Sequence, residues 1–301
     1  MKRKQSGSKI MMRLIKLVKP LAFFMVLAVI LGVTGFLCAI QITVLGSMTL
    51  LTAAGINGGL AIKTGCICII IFAVLRGFLH YGEQACNHYI AFKLLAIIRD
   101  KVFKSLRRLT PAKLEGKDKG NLISLITSDI ELLEVFYAHT ISPICIAFLT
   151  SLVMLIFIGR YSIWLMLVAL AAYITVGIII PLVSSKFNKN IGMTYRENSG
   201  ALSGYVLDSM RGLLESIRYN STDTRLNEMN EKTDELNSLQ KKLKKIEGRN
   251  ISITDISIIF FSITMLLVAI CLYQKGTIGF DGLIVSTVAM MSSFLSLIHI
   301  S

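Results

Sequence analysis

The sequence predicts an all-α integral membrane protein, and three observations predict it. Apolar residues make up 54% of the 301 and charged residues only 17%, where a soluble domain carries about a quarter charged. The apolar residues gather into six long stretches. Basic residues avoid every second connection: seven Lys and Arg precede residue 20, ten lie in 76–119 and twelve in 186–249, against only Lys63, Arg160 and Lys275 elsewhere. That segregation is the positive-inside pattern, so the N-terminus and the 76–134 and 186–250 segments are expected in the cytoplasm.

About 20 residues at 1.5 Å each cross the hydrocarbon of a bilayer, which places spans at about 20–46, 58–82, 135–158, 162–185, 251–273 and 283–301. Residues 1–19 are a basic cytoplasmic N-terminus. The first span is too long for the apolar region of a signal peptide, ~7–15 residues, and reads as retained. Between spans the connections at 47–57, 159–161 and 274–282 are brief, whereas the two cytoplasmic ones are long.

Those long segments read as helices carried on from the membrane. No Pro occurs from Gly77 to Leu109, and Phe92, Leu95, Ile98, Val102 and Leu106 recur at helical spacing with Lys93, Arg99 and Lys104 between them. Pro111 ends that helix. Ala201–Tyr219, then Leu236, Leu239, Leu243 and Ile246, keep the same period, with Gly248 as a C-terminal stop. Two helical hairpins follow, each with a polar tip: Lys113-Leu-Glu-Gly-Lys-Asp-Lys-Gly-Asn-Leu122, after which Thr127-Ser-Asp129 caps the return helix, and Tyr219-Asn-Ser-Thr-Asp-Thr-Arg225. Such tips suit docking of a partner, or are solvated turns.

A net charge of +14 raises the question of nucleic acid. The basic residues are interleaved with Glu and Asp and lack interspersed stacking aromatics, so the bilayer's anionic inner leaflet is the expected partner instead. Cys38, Cys66, Cys68, Cys86, Cys145 and Cys271 lack the spacing of a zinc site or a disulfide framework and read as apolar packing residues. No G-x-x-x-x-G-K-[ST] phosphate loop occurs; Gly116-Lys-Asp-Lys-Gly120-Asn121 has the wrong spacing.

Six spans, short outer loops and two long inner hairpins together resemble the type-1 transmembrane domain of ATP-binding-cassette (ABC) exporters, over residues 20–301. Gly120-Asn-Leu-Ile-Ser-Leu-Ile-Thr-Ser-Asp129, followed by Pro143, is similar to the family's first intracellular segment, with Asn121 and Leu125 where an acidic residue and Arg are commoner. Arg76-x-x-x-His80-Tyr81-x-Glu83-x-x-x-x-His88, then Phe92 and Arg99, resembles the second span of the cytochrome bd assembly exporters. Leu207-Asp-Ser-Met-Arg-Gly-Leu-Leu-Glu215, Tyr219, Arg225, Met229 and Thr233-Asp-Glu-Leu236 resemble the same group.

The resemblance implies the membrane part of an ATP-driven exporter in a bacterial inner membrane. It implies a second half-transporter, giving a heterodimer, and nucleotide-binding domains that hold ATP and Mg. The ATPase domain is absent from this sequence, which is expected to be a fragment; Leu295-Ser-Leu-Ile-His-Ile-Ser301 departs from the family and looks like translated adaptor sequence. Small thiols and amino-acid derivatives such as cysteine and glutathione, or haem, are the implied cargo. The rival readings are a peptide, lipid or drug exporter, and a non-transporting membrane scaffold.

Arg76, His80, Glu83 and Asn87 lie at i, i+4, i+7 and i+11 on one helical stripe, with His88 beside it. Ionisable groups in a span normally face a bundle interior or a watery cavity, so the stripe is expected to line the substrate pathway, unless Arg76 and Glu83 merely reach the interface. His88 is a candidate haem ligand, with Tyr89 and Phe92 to pack on a porphyrin, or a structural His. Asp255 and Asp281 are either pathway residues or interfacial ones. Coupling to nucleotide-binding domains is expected at Gly116, Lys117, Asp118, Gly120, Asn121 and Leu122 in the first tip and at Tyr219, Asn220, Asp223 and Arg225 in the second.

Overall fold

A computed structural model describes residues 19–56, 60–109 and 140–298. The described residues are helical throughout, apart from short turns, and contain no strand. In order, the helices are α1 (Ala22–Ala53), α2 (Ile62–Leu109), α3 (Ser142–Gly159), α4 (Ile163–Ile174), α5 (Ile180–Arg211), α6 (Leu213–Arg218), α7 (Thr222–Gln274), α8 (Phe280–Ser293) and α9 (Leu295–Ile298). A 3₁₀ turn, Lys19–Leu21, leads into α1, and a π turn, Thr175–Ile179, joins α4 to α5. Among the described residues, six stretches are long and apolar enough to cross a membrane: Ala22–Ala53, Ile62–Arg108, Ser142–Gly159, Ile163–Lys186, Thr222–Gln274 and Phe280–Leu297.

The chain divides into two units, residues 1–170 with 262–300, and residues 171–261. In the first, α1 lies against α2, α3 and α8. Small residues make that approach possible. Ala28, Gly32, Gly35 and Ala39 are buried along α1, and a Cβ added to Gly32 would stand 2.9 Å from Ile146 Cγ1 of α3. Between membrane helices, where lipid is as apolar as Leu, close backbone packing of this kind is the main source of association. Thr43 of α1 and Ser292 of α8 add a hydrogen bond of 2.6 Å. At the other end of α1, Leu21 packs on Ile90 and Leu94 of α2, joined by Phe24, Met25, Ile98 and Ile141.

Three helix ends close in the same way. After α1, Ile56 N–H bonds to Leu51 C=O at 3.0 Å and Gly55 N–H to Thr52 C=O at 3.1 Å, with Gly55 at φ +80°. Gly276 (φ +68°) repeats the pattern after α7, through Thr277 to Leu272 and Gly276 to Tyr273. These are Schellman caps, which require a left-handed residue. The third uses Asn220.

In the second unit, the π turn and Pro181 occur together. Ile180 N–H reaches back to Thr175 C=O, and Pro181 has no N–H to give, so the ladder widens by one residue where proline would otherwise clash. Helix α7 runs unbroken for 53 residues, about 80 Å at 1.5 Å per residue. Gly248, expected to stop a helix, lies in its interior. Glycine there costs only ~1 kcal/mol relative to Ala, the apolar rhythm continues on both sides, and Ser252 Oγ bonds to the Gly248 carbonyl at 2.9 Å. Where one helix was expected over Ala201–Tyr219, Gly212 interrupts it between α5 and α6. Of the six cysteines, all free, only Cys38 is buried.

Candidate functional site

The polar stripe of α2 divides into a buried half and an exposed half. Glu83 and Asn87 are 6% and 3% exposed, while Arg76 and His80 are exposed. His80 Nδ1 lies 3.2 Å from Glu83 Oε2, and Asn87 Nδ2 donates to Glu83 Oε1 at 3.3 Å. A carboxylate in a span requires partners of this kind, because the hydrocarbon supplies none. Asn87 Oδ1 is buried with no hydrogen-bond partner among the described residues.

Arg76, His80 and Glu83 line one cleft of about 120 Å³, whose opposite wall is Gly32, Gly35 and Phe36 of α1. Gly32 leaves room for the Glu83 head, since a Cβ there would stand 3.3 Å from Glu83 Cδ, and Gly35 lets α2 approach at Leu79, whose Cβ would lie 3.6 Å from one on the glycine. Sequence reasoning found the α2 side but not the α1 side. The signal was present as two glycines one turn apart in an apolar span, a spacing that lets another helix approach closely. The cleft offers a guanidinium donor and a carboxylate acceptor within one small volume, complementary to a solute bearing both an acid and an amine.

His88 does not line this cleft. It is exposed on another face of α2, its ring stacked on Phe92 at 6.0 Å and 23°, while Tyr89 packs against Phe24 of α1 at 4.6 Å. Among the described residues no group of three or more His, Cys, Asp or Glu is placed to hold a metal ion.

The second hairpin tip is ordered by its own hydrogen bonds. Asn220 adopts φ +52°, with Ser221 N–H on Ser216 C=O at 2.9 Å and Asn220 N–H on Ile217 C=O at 3.2 Å. Arg225 turns its guanidinium back onto Ser209 Oγ at 3.2 Å. Tyr205 joins α5 to α7: its hydroxyl donates to Glu228 Oε2 at 2.6 Å, and Lys232 Nζ sits 5.5 Å above its ring. The bond to Glu228, with some desolvation, holds the Tyr205 phenol above its ordinary range. Tyr219 is 81% exposed, and Leu213, Leu214, Ile217 and Leu226 are exposed around it. Gly116, Lys117, Asp118, Gly120, Asn121 and Leu122, the first tip, lie outside the described residues.

Asp255 is exposed on α7. Asp281 lies beside the connection after α3, where Gly282 approaches Tyr161 so closely that a Cβ would stand 3.0 Å from its ring. Burial and the Asp281 charge push the Tyr161 phenol up, against a smaller opposing effect of Arg160.

Residues 21–297 match the family described as the ABC transporter transmembrane region. The chain is 41% identical over 298 residues to a probable ABC transporter ATP-binding/permease protein of Haemophilus influenzae, covering 99% of this chain and 54% of that protein. It is 25% identical over 201 residues to a glutathione/L-cysteine transport system ATP-binding/permease protein of Bacillus subtilis, over 65% of this chain and 34% of that one. An ATP-dependent lipid A-core flippase of Colwellia psychrerythraea is 29% identical over 181 residues, 59% of this chain and 29% of the flippase. The chain thus spans about half the length of the first of these relatives.

Proposed function

The chain belongs to the ABC transporter transmembrane-region family, and we propose that it is the membrane-spanning part of an ATP-driven exporter of small amino-acid-like solutes, cysteine and glutathione among them. The observation that carries this reading is the α1–α2 cleft. Arg76 is complementary to a carboxylate and Glu83 to an ammonium group, and the pair stands in an otherwise apolar span, where such groups are costly unless used. Similarity to a glutathione/L-cysteine transport protein supports the same solute class.

In this reading, ATP and Mg are held by nucleotide-binding domains outside these residues. Their closure draws on the hairpin tips, Tyr219, Asn220 and Asp223 in the second, and turns an inward-facing cavity outward. A second half-transporter completes a heterodimer in the bacterial inner membrane, with the N-terminus in the cytoplasm as the basic residues indicate. Haem, if bound, would be held by the His88 imidazole with the Phe92 ring beside it, the ring nitrogen supplying an iron ligand; no step of this scheme is routed through it.

A second reading, export of a lipid, is supported by similarity to the lipid A-core flippase. ATP-dependent uptake by inverted vesicles containing the full-length protein and its partner half separates the two. Accumulation of labelled cysteine or glutathione is expected. Lipid movement between leaflets without thiol uptake would overturn the first reading in favour of the second.

A further inference from the structure

A groove of about 420 Å³ lies wholly within the second unit, with Ile179, Val183 and Ser184 on one wall and Arg249, Asn250 and Ile253 on the other. Both walls change character at the same height. The chain passes from Ile178-Ile-Ile-Pro-Leu-Val183 to Ser184, Ser185 and Lys186 on one side, and from Lys244, Lys245, Arg249 and Asn250 to Ile251 and Ile253 on the other. That is the level at which a membrane helix leaves hydrocarbon for the headgroup layer, on the side the basic residues mark as cytoplasmic.

Asn250 Nδ2 donates to Ser184 Oγ and ties the two walls together, leaving its second amide hydrogen available. The nearest acid along α7, Glu247, is bonded by Lys244 at 2.8 Å, and among the described residues Arg249 forms no ion pair. Ile179, Val183 and Ile253 are 48%, 50% and 44% exposed. A guanidinium and an amide at headgroup height, above three uncovered aliphatic side chains, match one molecule in charge and in polarity.

We infer that this groove binds an anionic phospholipid, with its phosphate on Arg249 and Asn250 and an acyl chain along Ile179, Val183 and Ile253. A soluble phosphate would not use the aliphatic floor, and a zwitterionic lipid would gain less from the guanidinium. The groove is built from residues of the second unit alone and does not depend on what the transporter carries.

Trp164 is the single tryptophan, so the 301-residue chain carrying Trp164→Phe and Ile253→Trp reports on this groove alone. It is reconstituted in phosphatidylcholine vesicles with increasing brominated phosphatidylglycerol or brominated phosphatidylcholine, and quenching is compared. Phosphatidylglycerol is expected to quench at roughly five-fold lower mole fraction, the ratio for one basic residue at an anionic surface. Arg249→Gln should remove the preference, while Arg249→Lys and the remote Lys275→Gln keep it. Lipid co-purifying with the unaltered chain should be enriched in phosphatidylglycerol relative to the host membrane. Equal quenching by the two lipids, a preference erased by inorganic phosphate or by Lys275→Gln, or no quenching by either because protein covers the groove, would each overturn the assignment.

Discussion

Gly32 of α1 and Glu83 of α2 meet face to face: a Cβ on the glycine would stand 3.3 Å from the carboxyl carbon. The absent side chain is what allows a buried carboxylate to fit between the helices, with buried Asn87 and exposed His80 bonded to it. Gly32→Leu should therefore overpack the interface, costing ~1–3 kcal/mol, and push Glu83 off Asn87. Thermal unfolding of the chain in detergent measures the loss. A Gly32→Leu variant as stable as wild type would mean that α1 and α2 do not approach so closely.

Arg76 shares the cleft with Glu83 but is exposed, so its replacement removes a ligand contact without leaving an orphaned buried charge. In the full-length transporter, Arg76→Ala should raise the solute concentration giving half-maximal ATPase stimulation by roughly ten-fold or more, since a hydrogen bond to a charged group is worth ~1.5–3 kcal/mol. Glu83→Gln should impair the same stimulation and lower stability as well, because His80 and Asn87 both bond to it. Normal stimulation in Arg76→Ala would show that this face of α2 merely packs.

The spans and the α2 stripe were legible in the sequence because both are written in one helix at a time: hydropathy over about 20 residues, and polar positions at i, i+4, i+7 and i+11. What the sequence did not disclose depends on a second helix. Glu83 and Asn87 are buried and Arg76 and His80 exposed because of where α1 lies, and α1 lies there because of Gly32 and Gly35. Gly248 misled for a related reason, since a single glycine's weak helix-breaking tendency loses to a helix whose periodicity continues past it. Arg225, a candidate for coupling by its place in a polar tip, is held by Ser209 of the opposite helix, a partner sixteen positions away that no local pattern indicates.

Tyr205 makes the hairpin pH-sensitive at the alkaline end. Its phenol is raised by the bond to Glu228, so the protonated form is the one favoured in the folded hairpin. The contribution is fully present below the ordinary tyrosine value of about 10 and is lost as pH rises through the higher folded value. Protection of the amides of residues 205–228, measured relative to their base-catalysed intrinsic exchange, should fall over that alkaline window in the wild type and stay level in Tyr205→Phe, which lacks the titrating group and starts less protected. An identical alkaline response in Tyr205→Phe would assign the transition elsewhere.

Asn220 shapes the tip because its φ of +52° closes a Schellman cap between α6 and α7. Only Gly, and less readily Asn, takes that conformation without strain. Asn220→Gly should keep or slightly improve stability, whereas Asn220→Val, β-branched and strained at positive φ, should cost ~1–2 kcal/mol. The same substitution separates coupling from folding. If the tip docks on a nucleotide-binding domain, a cysteine at Thr222 crosslinks to that domain in the full-length transporter with Asn220 or Gly at 220 and much less with Val, in proportion to lost ATP-driven transport. Crosslinking and transport unaffected by Asn220→Val, in a protein whose stability has fallen as expected, would remove this turn from the coupling path.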